Sequence, residues 1–329
     1  MRALGPTAGE QGGEYTRIES REPGRMIPCR IIRPSAQLAS SGIFLHFHGG
    51  GMVVGTHDGS VSSTMPDRRH LLKVADEVKR DRKDNLLQRF ADASGCVTIS
   101  VGYRLSPEHP FPAPVQDCFD VADYLIKHGH EDFGGPLQFI GGESAGAYLT
   151  MQTFLHITGT TEKCQQLRGL VFNYGVYSWS FLPSNYTVQD TVCLDTFKTD
   201  KFRQLCFTME PTQISQVCDS FEHEFGSLAN PESLHDHYFK HPAASPLYRR
   251  LEDIGARLPP ALFLCGTADP LLDDTVLMSA RWQMAGGPAI VKFVSGAPHA
   301  FVEIPIESGD CCVTGAEIIR EFLQEKGGN

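Results

Sequence analysis

"FIGGESAGAYLT" (139–150) is the stretch on which the reading of this chain turns. Its apolar start has the length of a strand, runs into Gly142-Glu143-Ser144-Ala145-Gly146, and is followed by an apolar helical pattern. A serine on so tight a strand-to-helix turn has to project its Oγ, and only small flanking residues let the backbone turn that sharply. The turn also sets Ser144 at a helix N-terminus, where partial positive charge favours an anion. The pattern G-x-S-x-G arises by chance too readily to decide anything alone, so its surroundings carry the argument.

Upstream, "LHFHGGGMVVG" (45–55) runs a strand into three consecutive glycines. Each glycine costs ordering entropy when it is fixed, so the loop must gain something that a side chain would block. A serine attacking a carbonyl creates an oxyanion, and fixed backbone N–H groups meet it well when no Cβ stands in the way. Gly50 and Gly51 are expected to supply two such donors, and Ala145, next to the serine, a third.

Downstream, the serine needs a base, and the base needs an orienting carboxylate, in the chain order Ser, Asp or Glu, His. Of thirteen histidines only His299 lies beyond residue 241, in "SGAPHAF" after a strand-like run. Asp269 follows the 260–266 run in "CGTADPLLDD". Asp273 and Asp274 compete for its role, although their place at a helix start also suits acids for reasons of dipole.

Working outward, apolar runs of strand length recur at 29–33, 42–47, 96–103, 137–142, 167–174, 260–266 and 289–295, with helical patterns between several of them. Continuous apolar character suggests strands covered on both faces, and the alternation predicts an α/β fold. Three regions break the rhythm. Residues 1–25 are rich in Gly and Glu and read as a loose arm. Residues 64–92 are charged and helical in composition, with Leu86, Leu87, Phe90 and Ala91 expected on a buried face. Residues 178–241 interrupt two strands with an aromatic-rich excursion too long for an ordinary loop, and read as a cap.

Hydrophobic residues make up 41% and charged residues 21%, enough for a sizeable core, and the formal charge of −10 disfavours a nucleic-acid partner. No apolar run is long enough to span a membrane. Ten cysteines without a CxxC pair, and no secretory signal core, predict free thiols and a cytoplasmic location. Neither HExxH nor a phosphate or dinucleotide loop occurs, so no metal and no organic cofactor is expected; "LHDHYFKH" (234–241) is the weak exception.

Taken in order, "HGGG" (48–51), "YRLSPEHPFPAPVQD" (103–117), "GESAG" (142–146), "DPLLDD" (269–274) and "PHAF" (298–301) resemble the hormone-sensitive-lipase-like carboxylesterases of the α/β-hydrolase superfamily. The resemblance spans about residues 27–325. It implies a mostly parallel eight-stranded sheet flanked by helices, with a helical cap. The core would be 26–177 and 242–329, the cap 178–241, with 1–25 joining it. It implies Ser144, Asp269 and His299 as catalytic residues, with Gly50, Gly51 and Ala145 as the oxyanion hole. It places Arg104 and Glu108 beneath the site, tying loops together, and reads "ASPL" (244–247) as the return from cap to core. The expected partner is a small, fairly apolar ester, cleaved by a monomer or homodimer. The departures are Ala147 in place of a glycine, a longer segment between the glycine loop and "YRL", and a long cap. Two other readings use the same scaffold. One is a biosynthetic enzyme performing acyl transfer, dehydration or cyclisation, and the other a ligand receptor, which the intact "PHAF" disfavours.

Overall fold

The computed structural model describes residues 3–8, 13–35, 41–57, 83–160, 166–188, 193–207, 238–254 and 257–327. Its centre is one sheet whose strands are β1 (Ala3–Ala8), β2 (Glu14–Glu19), β3 (Met26–Ile32), β4 (Ile43–Phe47), β5 (Val97–Val101), β6 (Leu137–Glu143), β7 (Gly169–Asn173), β8 (Ala261–Ala268) and β9 (Ala289–Pro298). They lie in the order β1-β2-β3-β5-β4-β6-β7-β8-β9. From β5 to β9 every pairing is parallel, while β1, β2 and β3 join antiparallel at one edge.

All seven runs picked out by their apolar character are strands. The eight strands β2–β9 form the expected mostly parallel sheet, and β1 extends it by a ninth. This corrects the reading of residues 1–25 as a loose arm belonging to the cap: β2 pairs with β3 in full register and buries Ile18. The alternation in "EYTRIE" is only six residues long and is surrounded by glycine and glutamate, which hid it.

The helices are α1 (83–94), α2 (Ala113–Phe133), α3 (Ala145–Thr160), α4 (Ser184–Thr187), α5 (Thr196–Cys206), α6 (Leu272–Met284) and α7 (Asp310–Gly327). Strands β4 to β7 are buried along their whole length because both faces are covered. Side chains alternate between two layers. Leu45, Ile140, Phe172 and Phe263 pack with α2, α3 and Trp282 of α6. Phe44, Phe139, Val171 and Leu262 pack with Leu86 and Phe90 of α1 and with Phe322 of α7. Full burial of each such side chain is worth about 1.5–3 kcal/mol. The expected buried face of α1 is present: Leu86, Leu87, Phe90 and Ala91 are all 2% exposed or less. The segment before it, 58–82, lies outside the described residues.

Helix starts and stops follow local chemistry. Pro114 stands in the first turn of α2, where no N–H is needed, and Gly134 ends it at φ +86°. The Asp195 carboxylate caps α5 by accepting the Lys198 N–H at 2.8 Å. Among the described residues no helix is long and apolar enough to cross a membrane. The eight described cysteines are unbridged, Cys311 and Cys312 included.

Candidate active site

Strand β6 delivers Ser144, and close backbone approach dictates its neighbours. A Cβ on Gly142 would stand 2.2 Å from the Phe47 carbonyl oxygen, and one on Gly146 would stand 1.9 Å from it. The end of β4 is therefore wedged against the turn, and both glycines are needed to let it in. Ser144 itself sits at φ +56°, a left-handed conformation uncommon for a residue with a Cβ. Its N–H is held by the Asn173 carbonyl at 2.9 Å, and its own carbonyl accepts from Ala147 and Tyr148 in the first turn of α3.

His299 arrives from the loop after β9, and Asp269 from the loop after β8. His299 Nε2 lies 2.9 Å from Ser144 Oγ, and His299 Nδ1 lies 2.8 Å from Asp269 Oδ2. Asp269 is fully buried, and its other oxygen accepts the Leu271 N–H at 2.8 Å. A buried carboxylate at Nδ1 takes the ring proton's hydrogen bond and leaves Nε2 to accept from the serine hydroxyl. The Tyr174 ring packs edge-on against the imidazole at 5.0 Å.

The competing acids have other partners. Asp274 Oδ1 accepts the N–H groups of Tyr177 and Ser178 at 2.6 and 2.8 Å, and Asp273 Oδ2 accepts that of Ser184. Both fasten the start of the 178–241 excursion to α6. Burial pushes the Asp274 carboxyl up to about 7 even though two N–H groups oppose it. The return segment closes beside the entrance: Leu247 N–H reaches the Tyr177 carbonyl, and Trp179 N–H reaches Ser245 Oγ. Phe221 and Phe225, and residues 234–237 of the histidine-rich stretch, lie outside the described residues.

In the glycine loop Gly50 adopts φ +108° and Gly51 φ +63°. A Cβ on Gly50 would meet the Val54 carbonyl oxygen at 2.0 Å, and one on Gly51 would meet the Phe202 ring at 2.6 Å. No loop or turn carbonyl among the described residues accepts from the N–H of Gly50, Gly51 or Ala145. These three residues, with Ser144 and His299, line one cleft of about 250 Å³ walled by Trp179 and Phe202.

Several contributors escaped the sequence reading. Glu143 is fully buried, with His46 Nε2 at 3.0 Å and Lys83 Nζ at 3.2 Å from its Oε2. Burial would raise its carboxyl, but Lys83 and His46 hold it down to about 2. Burial keeps His46 neutral, so it donates to Glu143 and accepts from Ser100. The signal was a histidine in the middle of the apolar strand "IFLHF". Tyr103 stacks on His48 and donates to its carbonyl at 2.7 Å, which steadies the glycine loop. Arg104 does tie loops together, through Asp117 and Glu22. Glu108 does not: it is exposed, with no hydrogen bond or ion pair among the described residues.

A family model described as alpha/beta hydrolase fold matches residues 74–303. The chain belongs to the α/β-hydrolase fold family. Within that family it is of the hormone-sensitive-lipase-like carboxylesterase type. An acetyl esterase of Salmonella choleraesuis is 26% identical to it over 84% of this chain and 69% of its own length. A hyperthermophilic esterase from the archaeon Pyrobaculum calidifontis superposes with a TM-score of 0.70 at 23% identity, covering 96% of this chain and 83% of its own. Carboxyl esterase 2 of the fungus Tuber melanosporum also gives 0.70, at 18% identity, with 97% and 89% covered. This α/β hydrolase is an enzyme of the esterase type.

Proposed function

We propose that this α/β hydrolase cleaves a carboxylic ester of a small, fairly apolar molecule by nucleophilic catalysis at Ser144. As Oγ attacks the ester carbonyl, its proton passes to His299 Nε2, and Asp269 holds the ring and stabilises the imidazolium. The carbonyl π electrons move onto oxygen, and the N–H groups of Gly50, Gly51 and Ala145 receive the resulting oxyanion. Collapse expels the alkoxide, protonated by His299, and leaves an acyl group on Ser144. Water, deprotonated by the same ring, then releases the acid. The chemistry asks for no cofactor.

The observation that supports this reading best is the pair of hydrogen bonds at 2.9 and 2.8 Å linking Ser144, His299 and Asp269 beside backbone N–H groups placed to donate to a ligand oxygen. The apolar walls Trp179, Leu194, Phe202 and Leu271 favour an apolar acyl or alcohol group. A cleft of about 250 Å³ suits a short acyl chain, in keeping with relatives named acetyl esterases. In this reading residues 178–241 are the cap, set on a core of 26–177 and 242–329. Rapid acid quenching during turnover of 4-nitrophenyl acetate, followed by peptide mapping, tests it. An acetyl group on Ser144 is expected; turnover with the acetyl group on another residue would overturn it.

A further inference from the structure

The cleft holds one charged side chain that the reaction does not use. Glu303 lies four positions beyond His299, and its N–H donates to the Ala300 carbonyl at 3.0 Å. That turn, with Ala300 at φ +66°, directs the carboxyl into the cleft beside Ser144 and His299. How near it comes is measured by Gly49. A Cβ there would stand 3.2 Å from Glu303 Oε1 and 3.5 Å from Ser144 Cβ, so only the missing side chain of a glycine separates the two.

Among the described residues no N–H or O–H donates to this carboxyl, although it is half-buried. The neighbouring basic groups are committed elsewhere: Lys83 donates to Glu143, and His299 Nδ1 faces Asp269. Behind the cleft, the buried Tyr174 hydroxyl feels the carboxylates of Glu303, Glu143 and Asp269 together. Burial, and then the charge of Glu143, raise the Glu303 carboxyl against the pull of Lys83 and His299. A half-buried acid without a donor, in a cleft with a surplus of negative charge, is a place where an incoming cation gains both a charge-assisted hydrogen bond and a favourable field.

We propose that Glu303 forms an ammonium subsite, so that the preferred ester carries a protonated alkylamine on its acyl or its alcohol side. This rests on the reading of the cleft as ester-hydrolysing. The carboxylate accepts the N–H of the ammonium, while Trp179, Phe202 and Leu271 receive its alkyl groups. The subsite selects substrates; it moves no proton in the reaction.

Two pairs of isosteric esters test it at about pH 7, where the amines are protonated. On the alcohol side these are 2-(dimethylamino)ethyl acetate and 3-methylbutyl acetate; on the acyl side, ethyl 4-(dimethylamino)butanoate and ethyl 5-methylhexanoate. The wild type is expected to show kcat/KM about tenfold higher for the amine in at least one pair, a preference that E303D keeps in part and E303Q erases. A ratio taken on one preparation cancels any loss of folded enzyme. A wild-type preference below about fivefold in both pairs, or one that survives in E303Q, overturns the subsite. Ser144-dependent hydrolysis without preference removes the subsite alone. If neither neutral ester is hydrolysed, the reading of the cleft falls with it.

Discussion

The thiol of Cys206 donates to the carbonyl of Gly51 at 3.0 Å, so a helix of the 178–241 excursion rests directly on the glycine loop. The Phe202 ring, one turn earlier on α5, packs against the same glycine. Whatever holds the excursion in place thereby helps to hold the amides of Gly50 and Gly51.

That contact predicts two different outcomes for two adjacent glycines. Gly51→Ala should push on a ring that can yield, lowering kcat by about 10²-fold, and Phe202→Ala in the same chain should recover part of the loss. Gly50→Ala meets backbone at Val54, and Phe202→Ala should recover nothing. Steady-state kinetics of the two pairs of variants decide it. A Gly51→Ala enzyme with normal kcat would remove these amides from the reaction.

Asp269 and Asp274 stand five positions apart and should separate cleanly. Asp269→Asn should keep the fold but lower kcat about 10⁴-fold, because the amide no longer enforces the imidazole tautomer. Asp274→Asn should leave the pH profile of kcat/KM in place. An equal loss of kcat in the two folded variants would contradict this division of labour.

Asp274 also makes a pH prediction. Its carboxyl is raised from an ordinary 3.8 to about 7 in the folded chain, so between those values the folded state holds a proton that the unfolded state has released. Stability from this group is complete below about 4 and declines as pH rises toward about 7, by as much as about 1.4 kcal/mol per pH unit. Urea denaturation from pH 4.5 to 7.5 should show that decline in the wild type and a flatter profile in Asp274→Asn. Parallel profiles would assign the slope to other groups.

Glu143 is where a buried network should reveal its worth. In Glu143→Gln, Lys83 would lose its counter-charge inside the protein, at a cost of roughly 3–5 kcal/mol. Chemical denaturation measures this, and a cost below about 1 kcal/mol would mean that Lys83 turns to solvent instead.

How far the sequence could be read follows from what each residue needs. Apolar strands buried on both faces announce themselves in one dimension, and so do glycines that admit a neighbouring backbone, as Gly142 and Gly146 admit Phe47. His299 could be picked out because the chain offers no other histidine so late. Strand β2 was hidden because the alternation in "EYTRIE" is so short, and the edge strand β1 because "ALGPTA" carries a glycine and a proline, which mask a strand pattern. The partners of Glu143 were hidden because a buried ion pair joins positions 60 and 97 apart, and spacing along the chain says nothing about such pairs. Arg104 was recognisable as a tie, but Asp117 and Glu22, not Glu108, complete it.

Ester hydrolysis is predicted to depend on the hydroxyl at position 144. Ser144→Ala keeps the small residue that the turn demands and removes only the atom that His299 faces across 2.9 Å. The decisive measurement is kcat/KM for 4-nitrophenyl acetate in that variant, with circular dichroism showing a wild-type fold. A fall of about 10⁴-fold or more is predicted. Hydrolysis within about tenfold of the wild type would contradict nucleophilic catalysis at Ser144.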